Sequence, residues 1–402
     1  MTCYDPRGRD HVGCVPIVRI VYATNVRIPS ERAHGRQIAH VCRALWNLGH
    51  DLEVVAPYRE NVVEQDFWTY EHLSKEIKLT YLGKTDYIKK RWPGIVKLWA
   101  MNQMLRREMP SVIADREPDV VYTRSHALLP ALITTGVPVI LELHQIPRFG
   151  RRAFVADCNG CFRVACLTSP MRDSLAKMGV KRSKLMVEGD AVDLDRFEHL
   201  PSQAKARAKW NLKTGRLVVG YVGRLTTLGK EKGVATLLEG LAATNAGKKF
   251  FGLVVGGPED DKKKYEKMAS KLGLTEDDVL FTGEIPAADV PTSLVACDVL
   301  AMPFPDVPHY RTHMSPLKMF EYMAAERPLL TTDLPTVRDV LDEKTAVFCR
   351  PGDAKDFAKA LEWIASHPEE AAKRAAAAAS LVKRHTWQER MVRILDGVPS
   401  RA

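Results

Sequence analysis

The run Ser315-Pro316-Leu317-Lys318-Met319-Phe320-Glu321 has the residue types of a helix start that can hold an anion. Serine is a good N-cap, and proline suits the first helical turn. The unpaired N–H groups of a helix start favour phosphate above other ligands. Lys318 adds positive charge, and Glu321 offers a carboxylate of the kind that accepts hydrogen bonds from ribose hydroxyls. An ordinary capped core helix with a solvated glutamate would leave the same pattern. A second segment, Gly220-Tyr221-Val222-Gly223-Arg224, runs an apolar stretch into a glycine turn, and Lys230-Glu231-Lys232-Gly233 follows. Arg224 and Lys232 can converge on one diphosphate and neutralise it without a metal; an exposed basic loop is the alternative reading.

These residues need a frame that presents loop and helix starts side by side. Continuous apolar runs at 17–23, 51–56, 77–82, 119–123, 137–143 and 164–168 read as buried strands, with helical stretches between most of them. A second series follows at 217–222, 250–255, 279–282, 299–302, 329–332 and 346–348. The alternation predicts α/β architecture with two doubly wound, Rossmann-like domains facing a central cleft. The expected boundaries are a tail over 1–16, an N-terminal domain over 17–190, an irregular hinge over 191–214, a C-terminal domain over 215–384 and a last helix over 385–402. No strand leads into G-x-G-x-x-G, since Gly256-Gly257-Pro258 lacks the spacing, which disfavours a dinucleotide dehydrogenase.

Taken in order, 20–35, Leu141-Glu142-Leu143-His144, 220–233 and 315–327 resemble the retaining glycosyltransferases of family 4, which have the GT-B fold. The similarity runs over nearly the whole chain and includes Pro328-Leu329-Leu330-Thr331-Thr332 and the closing segment 387–395. The resemblance implies that Arg224 and Lys232 grip a donor diphosphate, with Gly223, Ser315, Pro316 and Leu317 around the phosphate. It implies that Glu321 binds the nucleotide ribose, that His144 contacts the donor sugar, and that Gly35 lets a loop approach the phosphates. A hydrogen-bonded buried histidine is the alternative for His144. The family signature places two glutamates eight positions apart. Glu321 fits the second, but the first position holds His313, which offers no fixed negative charge at neutral pH. On this reading the substrate is a nucleotide-diphosphate sugar, with a UDP- or GDP-linked donor, and no cofactor is needed. Alternatives are a GT-B sugar-nucleotide epimerase or hydrolase, and a non-catalytic nucleotide-sugar binding protein.

Composition narrows the partners. The 402 residues include 59 Lys+Arg against 49 Asp+Glu, a formal charge of +10 spread over both halves. Such a field favours anionic partners. No nucleic-acid-binding signature is visible, so nucleic acid is not an expected partner. Segment 84–107 carries seven basic residues and one acid, Asp86, with Tyr87, Trp92 and Trp99 interleaved. That pattern suits either an anionic membrane surface, as a lipid-linked acceptor would require, or a solvated helix with buried aromatics. Arg148, Arg151 and Arg152 are candidates for an anionic acceptor. Asp193-Leu194-Asp195 and Cys158-Asn159-Gly160-Cys161 have metal-ligand spacings but lack further ligands, and no metal is expected. Eight scattered cysteines, no apolar run of about 18–20 residues and no leader-like start predict a cytoplasmic protein, with any membrane contact at the inner face.

Overall fold

The computed structural model describes residues 16–212, 215–227, 229–244 and 249–400. Apart from Pro16, the expected N-terminal tail lies outside these residues. The chain forms two compact units, Met1–Gly189 with Trp387–Ala402, and Asp190–Thr386.

The first unit is built on seven parallel strands: β1 (Arg19–Ala23), β2 (Asp51–Pro57), β3 (Lys78–Leu82), β4 (Val120–Thr123), β5 (Val139–Leu143), β6 (Arg163–Cys166) and β7 (Leu185–Val187), in the order β3-β2-β1-β4-β5-β6-β7. Inner strands of a parallel sheet are covered on both faces, which is why their sequences read as unbroken apolar runs. Val21, Ala23, Val55, Val121 and Leu141 point to one side. There they meet Met101, Leu105 and Met109 of the helix Gly94–Arg116, Leu129 and Leu132 of Leu129–Ile133, and Phe154 and Cys158 of Arg151–Gly160. The helix Ala33–Asn47 buries Ile38, Val41, Cys42 and Leu45, the stripe expected from spacings of three and four.

The second unit repeats the plan with six parallel strands: β8 (Leu217–Val222), then, after a short antiparallel pair β9 (Thr226–Thr227) and β10 (Lys230–Glu231), β11 (Phe250–Val255), β12 (Val279–Gly283), β13 (Val299–Met302), β14 (Leu329–Thr332) and β15 (Val347–Cys349). The sheet order is β12-β11-β8-β13-β14-β15. Val218, Val222, Leu300 and Met302 pack on Met319, Phe320 and Met323 of the helix Leu317–Ala324. Val219, Tyr221, Val299 and Ala301 pack on Val234, Leu237 and Leu238 of the helix Val234–Ala243. In each sheet the order reverses beside the first strand, at β1/β4 and at β8/β13. Ligands of such sheets bind outside the carboxyl ends of the strands at that point.

Of the stretch expected to be an irregular hinge, the described residues, 191–212, belong to the second unit. They form a 3-10 turn at Leu194–Phe197 and a helix at Gln203–Lys209, capped by the Ser202 hydroxyl accepting from Lys205 N–H. Arg207 anchors it by pairing with Asp298. Polar composition misled here because this short helix buries only Ala206.

Candidate functional site

In the second unit, β8 ends at the reversal point and the chain turns through Gly223 at φ 138°. No side chain fits comfortably in that conformation. A Cβ on Gly223 would also meet the Lys318 ammonium group at 3.1 Å. Arg224 follows, exposed, and β9 and β10 bring the chain back to Lys232 and Gly233. Gly233 has φ 92°, and a Cβ there would lie 1.8 Å from the Pro303 carbonyl oxygen just beyond β13. The helix Val234–Ala243 can therefore start hard against the reversal point only because residue 233 has no side chain. The Glu231 carboxylate accepts from Gly233 N–H at 2.7 Å and holds the turn.

Three cations meet here. Burial, reinforced by the charge of Arg224, lowers the Lys232 ammonium to about 8. Burial also pushes Lys318 well below the ordinary lysine value; Lys232 adds to that, and Glu321 opposes it. The Lys318 Nζ lies 3.6 Å from the centre of the Tyr221 ring and is buried with no hydrogen-bond partner among the described residues. Cation–π contact replaces only part of the lost hydration. Burial, and then neighbouring positive charge, lowers the proton affinity of Lys232 and Lys318, and a bound anion would relieve both.

The helix start differs in detail from the sequence reading. Its N-cap is Pro316, with no side-chain cap, and Leu317 is its first residue. Ser315 does not cap it, because the Ser315 hydroxyl oxygen accepts from Asp190 N–H at 2.7 Å. The first N–H groups of the helix are thus left without a capping side chain, which suits an external acceptor. Glu321 is half-buried, and Arg196 donates to its Oε1 at 3.1 Å. His313 stacks on His309 with ring centres 5.9 Å apart. Burial, and then the charge of Lys230, lowers His313 further below the usual histidine value.

In the first unit, His144 follows β5 directly and its Nε2 lies 2.5 Å from Glu142 Oε1. Glu142 is wholly buried and also accepts from Gln37, from the Tyr122 hydroxyl and from Arg390 Nη1, the last at 2.9 Å. Burial alone would raise this carboxyl. Arg390, the hydrogen bond from His144, and the charges of His144 and Arg124 outweigh it and hold the group well below the carboxylate range. His144 is therefore anchored by a buried anion, itself balanced by the helix Trp387–Leu395. Gly35 sits in the first turn of the helix Ala33–Asn47, not in a loop, and its missing Cβ makes room for the Ser30 carbonyl, 2.5 Å from where that carbon would be. Arg148 and Arg151 are exposed. Cys158 and Cys161 are buried free thiols, and burial pushes Cys161 up to about 12. Among the described residues no three His, Cys, Asp or Glu side chains gather as a metal site would require.

Sequence reasoning passed over Arg196, Glu142 and Arg390. Arg196 pairs with Glu321 125 positions away and Arg390 with Glu142 248 positions away, and no local pattern signals such pairs. Lys318 was visible as a charge, but its burial was not.

Two parallel-sheet, Rossmann-like units with this geometry define the GT-B class of fold. Residues 34–196 match the family model described as Glycosyltransferase Family 4, and residues 216–367 match the one described as Glycosyl transferases group 1. The chain belongs to this glycosyltransferase family. It is 30% identical over 198 residues to the 2-deoxystreptamine glucosyltransferase of Streptomyces kanamyceticus, a match that covers 48% of this chain and 48% of that relative. The chain thus spans about half the length of that protein. It is 24% identical over 372 residues to TuaC of Bacillus subtilis, named as a glycosyltransferase of teichuronic acid biosynthesis, covering 86% of this chain and 88% of TuaC. In structure it resembles Anabaena HepE, crystallised with UDP-glucose, with a TM-score of 0.69 and 17% identity over 94% of this chain and 98% of that one.

Proposed function

We propose that this protein is a retaining, metal-independent glycosyltransferase. It moves a sugar from a UDP- or GDP-linked donor to a glycan or lipid-linked saccharide, in the cytoplasm at the inner face of an anionic membrane. The observation that carries this reading is the convergence of Arg224, Lys232 and the buried, unpartnered Lys318 on the uncapped start of the helix Leu317–Ala324. The known binding of UDP-glucose by HepE supports the donor class.

In this reading the diphosphate lies against Arg224, Lys232, Gly223 and the N–H groups at Leu317, next to Ser315 and Pro316. Glu321 meets the ribose, and Arg196 holds its carboxylate in place. His144 meets the donor sugar, and Arg148 and Arg151 take an anionic acceptor. When the sugar–phosphate bond breaks, negative charge grows on the departing diphosphate. Donors already placed there each contribute ~3–4 kcal/mol to the transition state. The departing phosphate takes the acceptor proton on the same face of the sugar, so the anomeric configuration is kept.

The test is Arg224→Ala and Lys232→Ala, read by calorimetric binding of UDP, GDP and their sugars. Each should weaken nucleotide diphosphate binding at least about tenfold, the loss of one charge-assisted hydrogen bond. Normal binding by both variants refutes the site. Nucleoside diphosphate release that depends on added acceptor identifies transfer. Release without acceptor identifies hydrolysis, and binding without turnover a non-catalytic protein.

A further inference from the structure

The helix Gly94–Arg116 runs for 23 residues, but its buried stripe, Met101, Leu105, Met109 and Ile113, starts only at its eighth. The two turns before it overhang the core. They do not become polar, as a water-facing overhang normally would. Ile95 is 80% exposed and Trp99 62%, and Trp92, Val96 and Leu98 beside them are exposed as well. Residues 95, 96 and 99 share one face of the helix and form an apolar stripe, with the exposed Trp92 just before the helix start. Around it stand Lys90, Arg91 and Lys97, none of them in an ion pair among the described residues.

A second tip has the same chemistry. Phe149, in the loop between β5 and the helix Arg151–Gly160, is 89% exposed, and the exposed Arg148, Arg151 and Arg152 flank it. Both tips follow the carboxyl end of a strand in one parallel sheet. The helices they lead into pack on the same face of that sheet, into one core. Strands β3 and β5, which launch them, stand four positions apart, about 19 Å at the usual strand spacing.

We infer that these two tips form a two-point docking platform for an anionic lipid surface. The inference rests on the proposed transfer to a lipid-linked acceptor and names the surface that would bring the enzyme to it. Tryptophan and exposed aliphatic side chains belong at the headgroup boundary, and cations beside them meet anionic headgroups. A second copy of the chain is a poor occupant, since a two-fold contact would set these cations against themselves. Two separated tips fix the tilt of the first unit on the surface, whereas a single helix would leave it free to pivot.

The test is co-sedimentation with phosphatidylcholine vesicles, with and without one-third phosphatidylglycerol, at moderate salt. The protein should bind the mixed vesicles and lose binding as salt rises. Each near-surface cation is worth about fivefold in partition, so K90E/R91E/K97E should lose about 100-fold or more. I95S/W99S and F149S should each weaken binding about tenfold or more. In the variant Phe149→Trp, the new indole should be quenched by brominated acyl chains. Thermal shift with UDP, measured on the same preparations, should not change in any variant, which also shows that each is folded. Failure of the native protein to bind mixed vesicles, equal binding to both vesicle types, or variants that bind like the native protein would overturn the platform. A dimer in solution that I95S/W99S dissociates would overturn it in favour of a second copy. If UDP stabilises the protein but vesicles do not bind it, only the platform falls. If no nucleoside diphosphate binds, the transferase reading falls, and vesicle binding is judged separately.

Discussion

Lys232→Met should make the unliganded protein more stable while weakening its hold on a nucleoside diphosphate. The Lys232 amine drops from an ordinary 10.5 to about 8 in the folded chain, burial being the main cause and Arg224 the second. Between those values the unfolded chain holds a proton that the folded chain has released, so stability rises with pH across that window. Below about pH 8 the amine is charged in both states, and the folded state carries the full penalty, ~3 kcal/mol as an upper figure. Lys232 is only half-buried, so solvent screening trims this to about 1–2 kcal/mol. Methionine keeps the length of the chain and removes the charge. Urea unfolding at pH 7 should therefore show the variant about 1–2 kcal/mol more stable, with the advantage fading toward pH 10. Adding UDP should erase most of that advantage. A ligand at about 100 times its Kd stabilises by ~2.7 kcal/mol, and a tenfold or greater loss of affinity removes about half of that or more. Affinity in the native protein should also fall about tenfold for each pH unit above 8, as the free amine loses its proton. A variant no more stable at pH 7 that UDP stabilises as much as the native protein would refute the argument that these cations are held for an anion.

Four further outcomes are expected. Arg390→Met should destabilise the protein by about 3–5 kcal/mol, since it strands the buried Glu142 carboxylate, whereas adding Glu142→Gln to it should recover much of the loss in a denaturation-based double-mutant cycle. Because Glu142 is held below the carboxylate range, its contribution is present above the unfolded value and lost as pH falls through the folded one, so the native protein should lose stability on acidification more steeply than the double variant. Gly233→Ala should abolish UDP binding or folding, since the Cβ collides with the Pro303 carbonyl, while Gly273→Ala, at φ 78° with open space around it, should cost only about 1 kcal/mol by thermal melting. His313→Glu should change donor preference or turnover in a panel of nucleotide sugars; unchanged kinetics would make position 313 irrelevant to the donor.

Much of this frame was legible in the sequence because buried parallel strands write themselves as apolar runs. β8, β11, β13 and β14 start and end where those runs do. The strand β7 escaped, being an edge strand of three half-buried residues with too little apolar pattern, and the short pair β9/β10 escaped because two-residue strands have none. Around the anion site, the glycines and cations were readable as types at spacings. Their environment was not, since the proton affinity of Lys318 depends on its burial and on Lys232, which only the fold supplies. Ser315 shows the same limit: an able capping residue gave its oxygen to Asp190, far away in the chain.

The first unit is not continuous in the chain, since Trp387–Ala402 belong to it and all of Asp190–Thr386 intervene. Glu142 therefore waits 248 positions for the guanidinium that balances it. As the polypeptide leaves the ribosome, β1 to β7 are complete long before Arg390 exists, and the anchor of His144 cannot be finished until synthesis nears its end. A chain halted anywhere in the second unit would carry a first unit whose buried Glu142 lacks its Arg390 partner, a weakened fold of the kind that cellular proteases act on.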